Sequence, residues 1–112
     1  MSGISTHVLD TSIGRPAQDI GVWLEIESPP GSWKDIARGI TDKDGRIAKL
    51  FAGPLLEGNY RLRFDVDRYF ALRRVPSFYP FVNITFHVDD TEQHYHVPLL
   101  LSPFGYSTYR GS

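Results

Sequence analysis

The sequence contains no cysteine, and that absence excludes several kinds of protein. A disulfide scaffold, a zinc site built on thiolates and a cysteine nucleophile all need the missing side chain. Long apolar runs are missing too, since no stretch approaches the roughly 20 residues of a membrane span. The first residues lack the basic and apolar regions of a signal peptide. We therefore expect a soluble, cytoplasmic protein with no membrane partner.

Neither sign of charge is in large excess. The formal net charge is -1, from 12 basic and 13 acidic residues, so the chain has no field that would attract nucleic acid or anionic lipid. We expect no nucleic-acid partner. Nine of the basic residues are arginine, a side chain whose planar fork suits the local recognition of a small anion.

The length of 112 residues is typical of one domain with one core. Residues 1–112 are accordingly predicted to form a single domain. Aromatic residues make up 13% of the sequence, which is more than one small core needs. The surplus suggests a further buried surface, between subunits.

Apolar and polar residues alternate in several short segments, as in strands with one buried face. Strands are predicted at residues 3–9, 22–27, 33–41, 60–67, 81–88, 93–101 and 106–111. Residues 67–74 suit about two turns of helix, and Pro76 prevents its continuation. With turn signals about every ten residues, the sequence predicts an all-β sandwich of seven or eight strands with one short helix.

The dipeptide Asp44-Gly45 lies between two extended segments. Such a dipeptide predicts a β-hairpin, because glycine adopts the positive φ that the tight turn needs. Arg46 follows this turn directly.

Two histidines, His94 and His96, are two residues apart in a predicted strand, so their side chains lie on the same side of it. This spacing suits zinc, with His7 or His87 as a third ligand. Histidines at this spacing are more often ordinary polar residues of a strand. A metal site therefore remains an alternative, but we expect no metal and no cofactor.

Serine chemistry has little support, since no nucleophile-elbow pattern of glycines surrounds any serine. Neutral histidine is well suited to take a proton from water near pH 7, and guanidinium suits a planar anionic oxygen. A cofactor-free hydrolase that activates water could thus be built from His7, His96 and Arg46. Isolated histidines and arginines on strands are usually solvated, so spacing alone leaves this hypothesis open.

Four separated motifs identify a family that the chain resembles. They are STHVLDT with GRPA (residues 5–11 and 14–17), TD with DGR (41–42 and 44–46), FYP (78–80), and HYHVPLLLSP with YST and YRGS (94–103 and 106–112). Together these motifs are similar to those of the 5-hydroxyisourate hydrolases, the transthyretin-like enzymes of urate breakdown. The resemblance extends over nearly the whole chain, and the closing Tyr-Arg-Gly-Ser is that family's signature.

The resemblance implies an immunoglobulin-like sandwich of eight strands and a homotetramer, a dimer of dimers, with active sites in the channel between dimers. It implies hydrolysis of 5-hydroxyisourate to 2-oxo-4-hydroxy-4-carboxy-5-ureidoimidazoline, without a cofactor. It also implies roles for seven residues: His7, Arg46, His96 and Ser112 as the catalytic set, with His7, Arg46, Tyr109, Arg110, Gly111 and Ser112 binding substrate. Which of the two histidines is the general base stays open.

The alternative is a binding protein. Transthyretin shares the implied fold and carries thyroid hormone in the corresponding channel. A hormone carrier is expected to lack the set of His7, Arg46 and His96 and the Tyr-Arg-Gly-Ser ending, all of which are present here.

Overall fold

The computed structural model describes residues 2–112 and contains two β-sheets and one short helix. In chain order the elements are β1 (Gly3–Asp10), β2 (Arg15–Pro16), β3 (Gly21–Glu27), β4 (Trp33–Ile40), β5 (Arg46–Ala52), β6 (Gly58–Phe64), α1 (Val66–Leu72), β7 (Val82–Val88), β8 (His94–Ser102) and β9 (Gly105–Thr108). The predicted all-β sandwich with one helix is confirmed. Residues 2–112 form nine strands, and two of these lie outside the seven predicted strand segments. One is β5, the extended segment after the Asp44-Gly45 turn, and the other is β2, which is two residues long and pairs only with the end of β1.

One sheet is organised around β1, which pairs with β5 and β2 in antiparallel fashion and with β8 in parallel, while β9 extends the sheet beyond β8. The other sheet has the order β4-β3-β6-β7, and all of its pairs are antiparallel. The parallel pair joins the first strand of the chain to a strand near its end.

Alternation of apolar residues in both sheets forms the core between them. On one side Ile4 and Val8 of β1 are fully buried, and on the other Leu24 pairs directly with Leu62. Fully burying one such aliphatic side chain stabilises a fold by about 1.5–3 kcal/mol relative to leaving it exposed. Because the apolar residues of β1 face inward, its alternate residues face outward, and this outer face carries the site.

The helix α1 is seven residues long and buries Val66, Tyr69 and Phe70. It ends at Leu72, two residues before Arg74 with its positive φ of 58°, so it is shorter at its C-terminal end than the predicted segment 67–74. No helix among residues 2–112 is both long and apolar enough to cross a bilayer.

The turn at Asp44-Gly45 forms as predicted, with the amide of Gly45 donating to the carbonyl of Asp42 at 2.9 Å. The hairpin prediction was wrong, however, because β4 and β5 belong to different sheets. The conformation of a tight turn depends on the residues of the turn itself, whereas the strand with which β5 pairs depends on the rest of the fold. Here β5 pairs with β1.

Candidate active site

The outer face of β1 presents Ser5 and His7, since Ile4 and Val8 face the core. Both neighbouring strands add side chains to this face. β8 brings His96 into register with Ser5, and β5 brings Arg46 into register with His7. The fold therefore gathers a hydroxyl, two imidazoles and a guanidinium from three strands.

Arg46 is the first residue of β5, and its position is fixed by the preceding turn. Its amide donates to Oδ1 of Asp42 at 3.0 Å. Gly45 has a φ of 73°, and a Cβ there would overlap the carbonyl oxygen of Val8, so only glycine fits. Directly opposed residues on paired strands have neighbouring side chains, and Arg46 is held in this way beside His7.

His96 is held on two sides. Its Nδ1 lies 2.7 Å from Oγ of Ser5. Gly111 donates its amide hydrogen to the carbonyl of His96 at 2.8 Å, and a Cβ on Gly111 would lie only 2.6 Å from Cδ2 of the imidazole. The ring of His7 lies 6.5 Å from that of His96, centroid to centroid. The imidazole is thus positioned by β1 and by the last residues of the sequence.

The pKa of His96 is lowered from its ordinary value, chiefly because burial penalises the charged imidazolium. The nearby charges of His7, Arg46 and His94 lower it further. His96 is therefore neutral near pH 7, with a lone pair available to accept a proton.

A pocket of about 190 Å³ opens over this face. It is lined by Ser5, Thr6, Arg46, Ala48, His94, His96 and Ser112. Three of the four predicted catalytic residues, Arg46, His96 and Ser112, thus line one pocket. The fourth, His7, does not line the pocket but lies beside two residues that do: its ring centroid is 6.5 Å from that of His96, and its backbone pairs with that of Arg46.

Tyr109 and Arg110 lie apart from this pocket. They line a second cavity of about 250 Å³ beside β7. Arg110 stacks over the ring of Tyr95 with its Cζ at 4.4 Å from the centroid, and it donates to Oε1 of Gln93 at 2.7 Å. Only Gly111 and Ser112 of the Tyr-Arg-Gly-Ser segment reach the imidazole site in this structure, so the substrate-binding roles of Tyr109 and Arg110 remain predictions.

Ser5 was not singled out from the sequence, although it lies two residues before His7 and so on the same face. His94 and His96 point to one side, as predicted, and both contact Ser5.

His87 is on the other sheet, where its Nδ1 lies 2.7 Å from Oδ1 of Asn59. Across residues 2–112, no three His, Asp or Glu side chains are grouped closely enough to hold a metal ion.

Comparison with known proteins agrees with this architecture. Residues 4–111 match the model of the HIUase/Transthyretin family. The chain is 44% identical over 113 residues to 5-hydroxyisourate hydrolase of Salmonella dublin, an alignment that covers 97% of this chain and 80% of the relative.

Two solved structures are similar over almost their whole length. The structure of Klebsiella pneumoniae 5-hydroxyisourate hydrolase superposes with a TM-score of 0.86 at 38% identity, covering 97% of this chain and 98% of the other. Sea bream transthyretin in complex with thyroxine gives a TM-score of 0.89 at 30% identity, with 96% and 93% covered. Sequence motifs, fold and all three comparisons, with the family model, the relative and the solved structures, lead to one conclusion: the chain belongs to the HIUase/Transthyretin family.

Proposed function

We propose that this protein is an enzyme that hydrolyses 5-hydroxyisourate to 2-oxo-4-hydroxy-4-carboxy-5-ureidoimidazoline. The relatives that resemble it over nearly its full length carry the name of that hydrolase. The observation that carries the proposal is the pocket lined by Arg46, His96 and Ser112, with His7 alongside. This group supplies a neutral base, a cation for an anionic oxygen and a hydroxyl.

Fold likeness does not separate the enzyme from the carrier, because the hydrolase and transthyretin structures superpose about equally well, at 0.86 and 0.89. The side chains separate them. A carrier of an aromatic hormone has no chemical need for a partly desolvated imidazole beside a guanidinium. Hormone binding without catalysis is therefore the less favoured function.

In the proposed reaction, water attacks a carbonyl carbon of the six-membered ring. His96 accepts the proton of that water, because the lowered pKa keeps its imidazole neutral near pH 7. Arg46 binds the substrate and stabilises the negative charge that develops on the carbonyl oxygen. His7 protonates the leaving ring nitrogen, and the hydroxyl of Ser112 donates a hydrogen bond to the substrate.

The proposed assembly is a homotetramer, a dimer of dimers, of about four times 12.7 kDa. Large aromatic side chains at the surface support it, since Phe78 and Phe104 are 70% and 68% exposed. Phe78 belongs to an aromatic cluster in which Tyr79 packs edge-on against both Phe78 and Tyr106. Burying such residues between subunits would stabilise the oligomer.

A single domain over 1–112 and a cytoplasmic location also remain predictions.

A direct assay tests the activity. Purified protein, with no metal or nucleotide added, should accelerate the loss of ultraviolet absorbance of freshly generated 5-hydroxyisourate. An unchanged rate in the presence of the protein would refute the hydrolase function. Thyroxine binding without acceleration would favour the carrier.

A further inference from the structure

Ser5 bridges two histidines of β8. Its Oγ lies 2.7 Å from Nε2 of His94 and 2.7 Å from Nδ1 of His96. Ser5 is only 5% exposed, so water does not compete freely for its hydroxyl. Both distances are those of good hydrogen bonds.

A serine hydroxyl has one hydrogen to donate. If Ser5 donates to one imidazole it must accept from the other, so the two rings cannot choose their tautomers independently. In one arrangement Nδ1–H of His96 donates to Ser5, and Ser5 donates to Nε2 of His94. In the reversed arrangement His94 donates, and His96 carries its hydrogen on Nε2.

The charges around His96 select the first arrangement. The titratable groups near enough to influence its pKa are His7 from β1, Arg46 from β5 and His94 from β8. Arg46 shares the pocket with His96, and a cation favours a bare lone pair over an N–H directed towards it. Among the described residues, only Nδ1 of this ring has a side-chain hydrogen-bond partner. Nε2 is therefore the nitrogen left for the reaction.

We propose that Ser5 and His94 are positioning residues that hold His96 in the tautomer with a free Nε2 and take over the positive charge that His96 gains when it accepts a proton. The catalytic part of this inference rests on the proposed hydrolysis. His96 is partly buried and lies near the guanidinium of Arg46, whereas His94 is exposed. Moving the positive charge from His96 to His94 therefore relieves both the cost of burying a cation and its repulsion by Arg46.

The steps balance in protons and electrons. The oxygen of water bonds to the carbonyl carbon, and its proton goes to Nε2 of His96. The proton on Nδ1 passes to Oγ of Ser5 while the original hydroxyl proton of Ser5 passes to Nε2 of His94. The carbon–nitrogen bond breaks with its electron pair on nitrogen, which His7 protonates. The chain then reverses: Nε2 of His94 returns a proton to Ser5, Ser5 returns one to Nδ1 of His96, and the hydrogen on Nε2 of His96 leaves to solvent. His7 recovers one proton from solvent, so the starting tautomer is restored and the cycle consumes only water.

The tautomer is tested without substrate. In ¹⁵N-histidine-labelled protein, long-range ¹⁵N–¹H correlation spectra should show His96 protonated on Nδ1 and bare on Nε2, with the signals assigned by their loss in His96→Gln. Ser5→Ala should abolish this preference, whereas Ser102→Ala should keep it. Ser102 is a partly buried serine of β8 that bonds to the carbonyl of Gly105. A hydrogen on Nε2 of His96 in the unsubstituted protein would overturn the proposal, whatever the enzyme hydrolyses.

The relay is tested by kinetics and rescue. Ser5→Ala and His94→Ala should each lower kcat by about tenfold with little change in KM, and Ser102→Ala should not. Added imidazole, which replaces the lost proton acceptor, should restore His94→Ala but not Ser5→Ala. His94 is exposed, so its variant should fold even if Ser5→Ala does not. Full activity of His94→Ala, or a loss that imidazole does not repair, would refute the relay while leaving the hydrolase function intact.

Discussion

The imidazole rings of His7 and His96 lie with their centroids 6.5 Å apart and tilted by 32°. This separation is comparable to the span of two successive hydrogen bonds of about 2.8 Å through one small molecule. One ring can therefore take a proton from water while the other serves the leaving group. His7 lies on β1, which pairs with the strand of His96 (β8) on one side and with the strand of Arg46 (β5) on the other. One sheet therefore fixes the relative positions of all three side chains.

Replacing Arg46 by alanine should lower kcat/KM by about a hundredfold or more, because it removes the cation that stabilises the developing oxyanion. Arg46 is exposed, so the thermal unfolding temperature should change little. Arg38→Ala, at an exposed position of β4 in the other sheet, is the matched control. Equal activity of the two variants would remove Arg46 from the mechanism.

The activity should persist as the pH falls through the ordinary pKa of histidine. Burial, followed by the electrostatic influence of His7, Arg46 and His94, lowers the pKa of His96. The imidazole therefore stays neutral, and able to accept a proton, at pH values where a free histidine is charged. The acid limb of the kcat/KM profile should accordingly lie below that ordinary value. A limb above it would contradict the assignment of His96 as the base.

The same shift predicts a loss of stability in acid. Between the lowered pKa of folded His96 and the ordinary pKa of the unfolded chain, the unfolded state binds more protons. The free energy of unfolding should therefore fall as the pH drops through this window. His96→Gln should show a weaker dependence when thermal unfolding is followed from pH 7.5 to about pH 5. His87→Gln, on the outer face of the other sheet, should behave like the unsubstituted protein.

Gly111→Ala should reduce activity without unfolding the protein. The new Cβ would lie 2.6 Å from Cδ2 of His96 and 3.2 Å from Cγ of Pro98, so either the ring or the tail must move, and positioning errors of this size lower catalytic rates. Gly105→Ala is the matched control, since its Cβ would approach nothing closer than 3.7 Å. Comparable turnover of the two variants would show that the tail does not position the imidazole.

Tyr69→Phe should destabilise the fold by about 1–3 kcal/mol, because the buried carboxylate of Asp10 loses a hydrogen-bond donor. The Tyr69 hydroxyl donates to Oδ2 of Asp10 at 2.8 Å, and burial together with Asp10 raises the pKa of Tyr69 to about 12. Chemical denaturation measures the loss, with the exposed Tyr106→Phe as control. Tyrosine in the unfolded chain ionises first, so the unsubstituted protein should also lose stability above about pH 10.

Local patterns in the sequence predicted much of the fold. Alternation located strands such as β6 and β7, and the period of two put His94 and His96 on one side. What could not be predicted depends on pairing between distant segments. The bridge made by Ser5 requires the parallel register of β1 with β8, and no local signal encodes that register. For the same reason, the turn before Arg46 was recognised while the sheet that β5 joins was not.

The parallel pairing of β1 with β8 also dictates when the site can exist. Ser5 and His96 are separated by 91 positions in the chain, so during synthesis the first strand leaves the ribosome long before its partner has been translated. Contacts between such distant segments form late in folding because closing the long loop costs entropy. A nascent chain that ends before β8 has the residues of β1 but no pocket. In such a chain β1 has no partner strand along the edge that β8 would occupy, and an unpaired strand edge can pair with another chain.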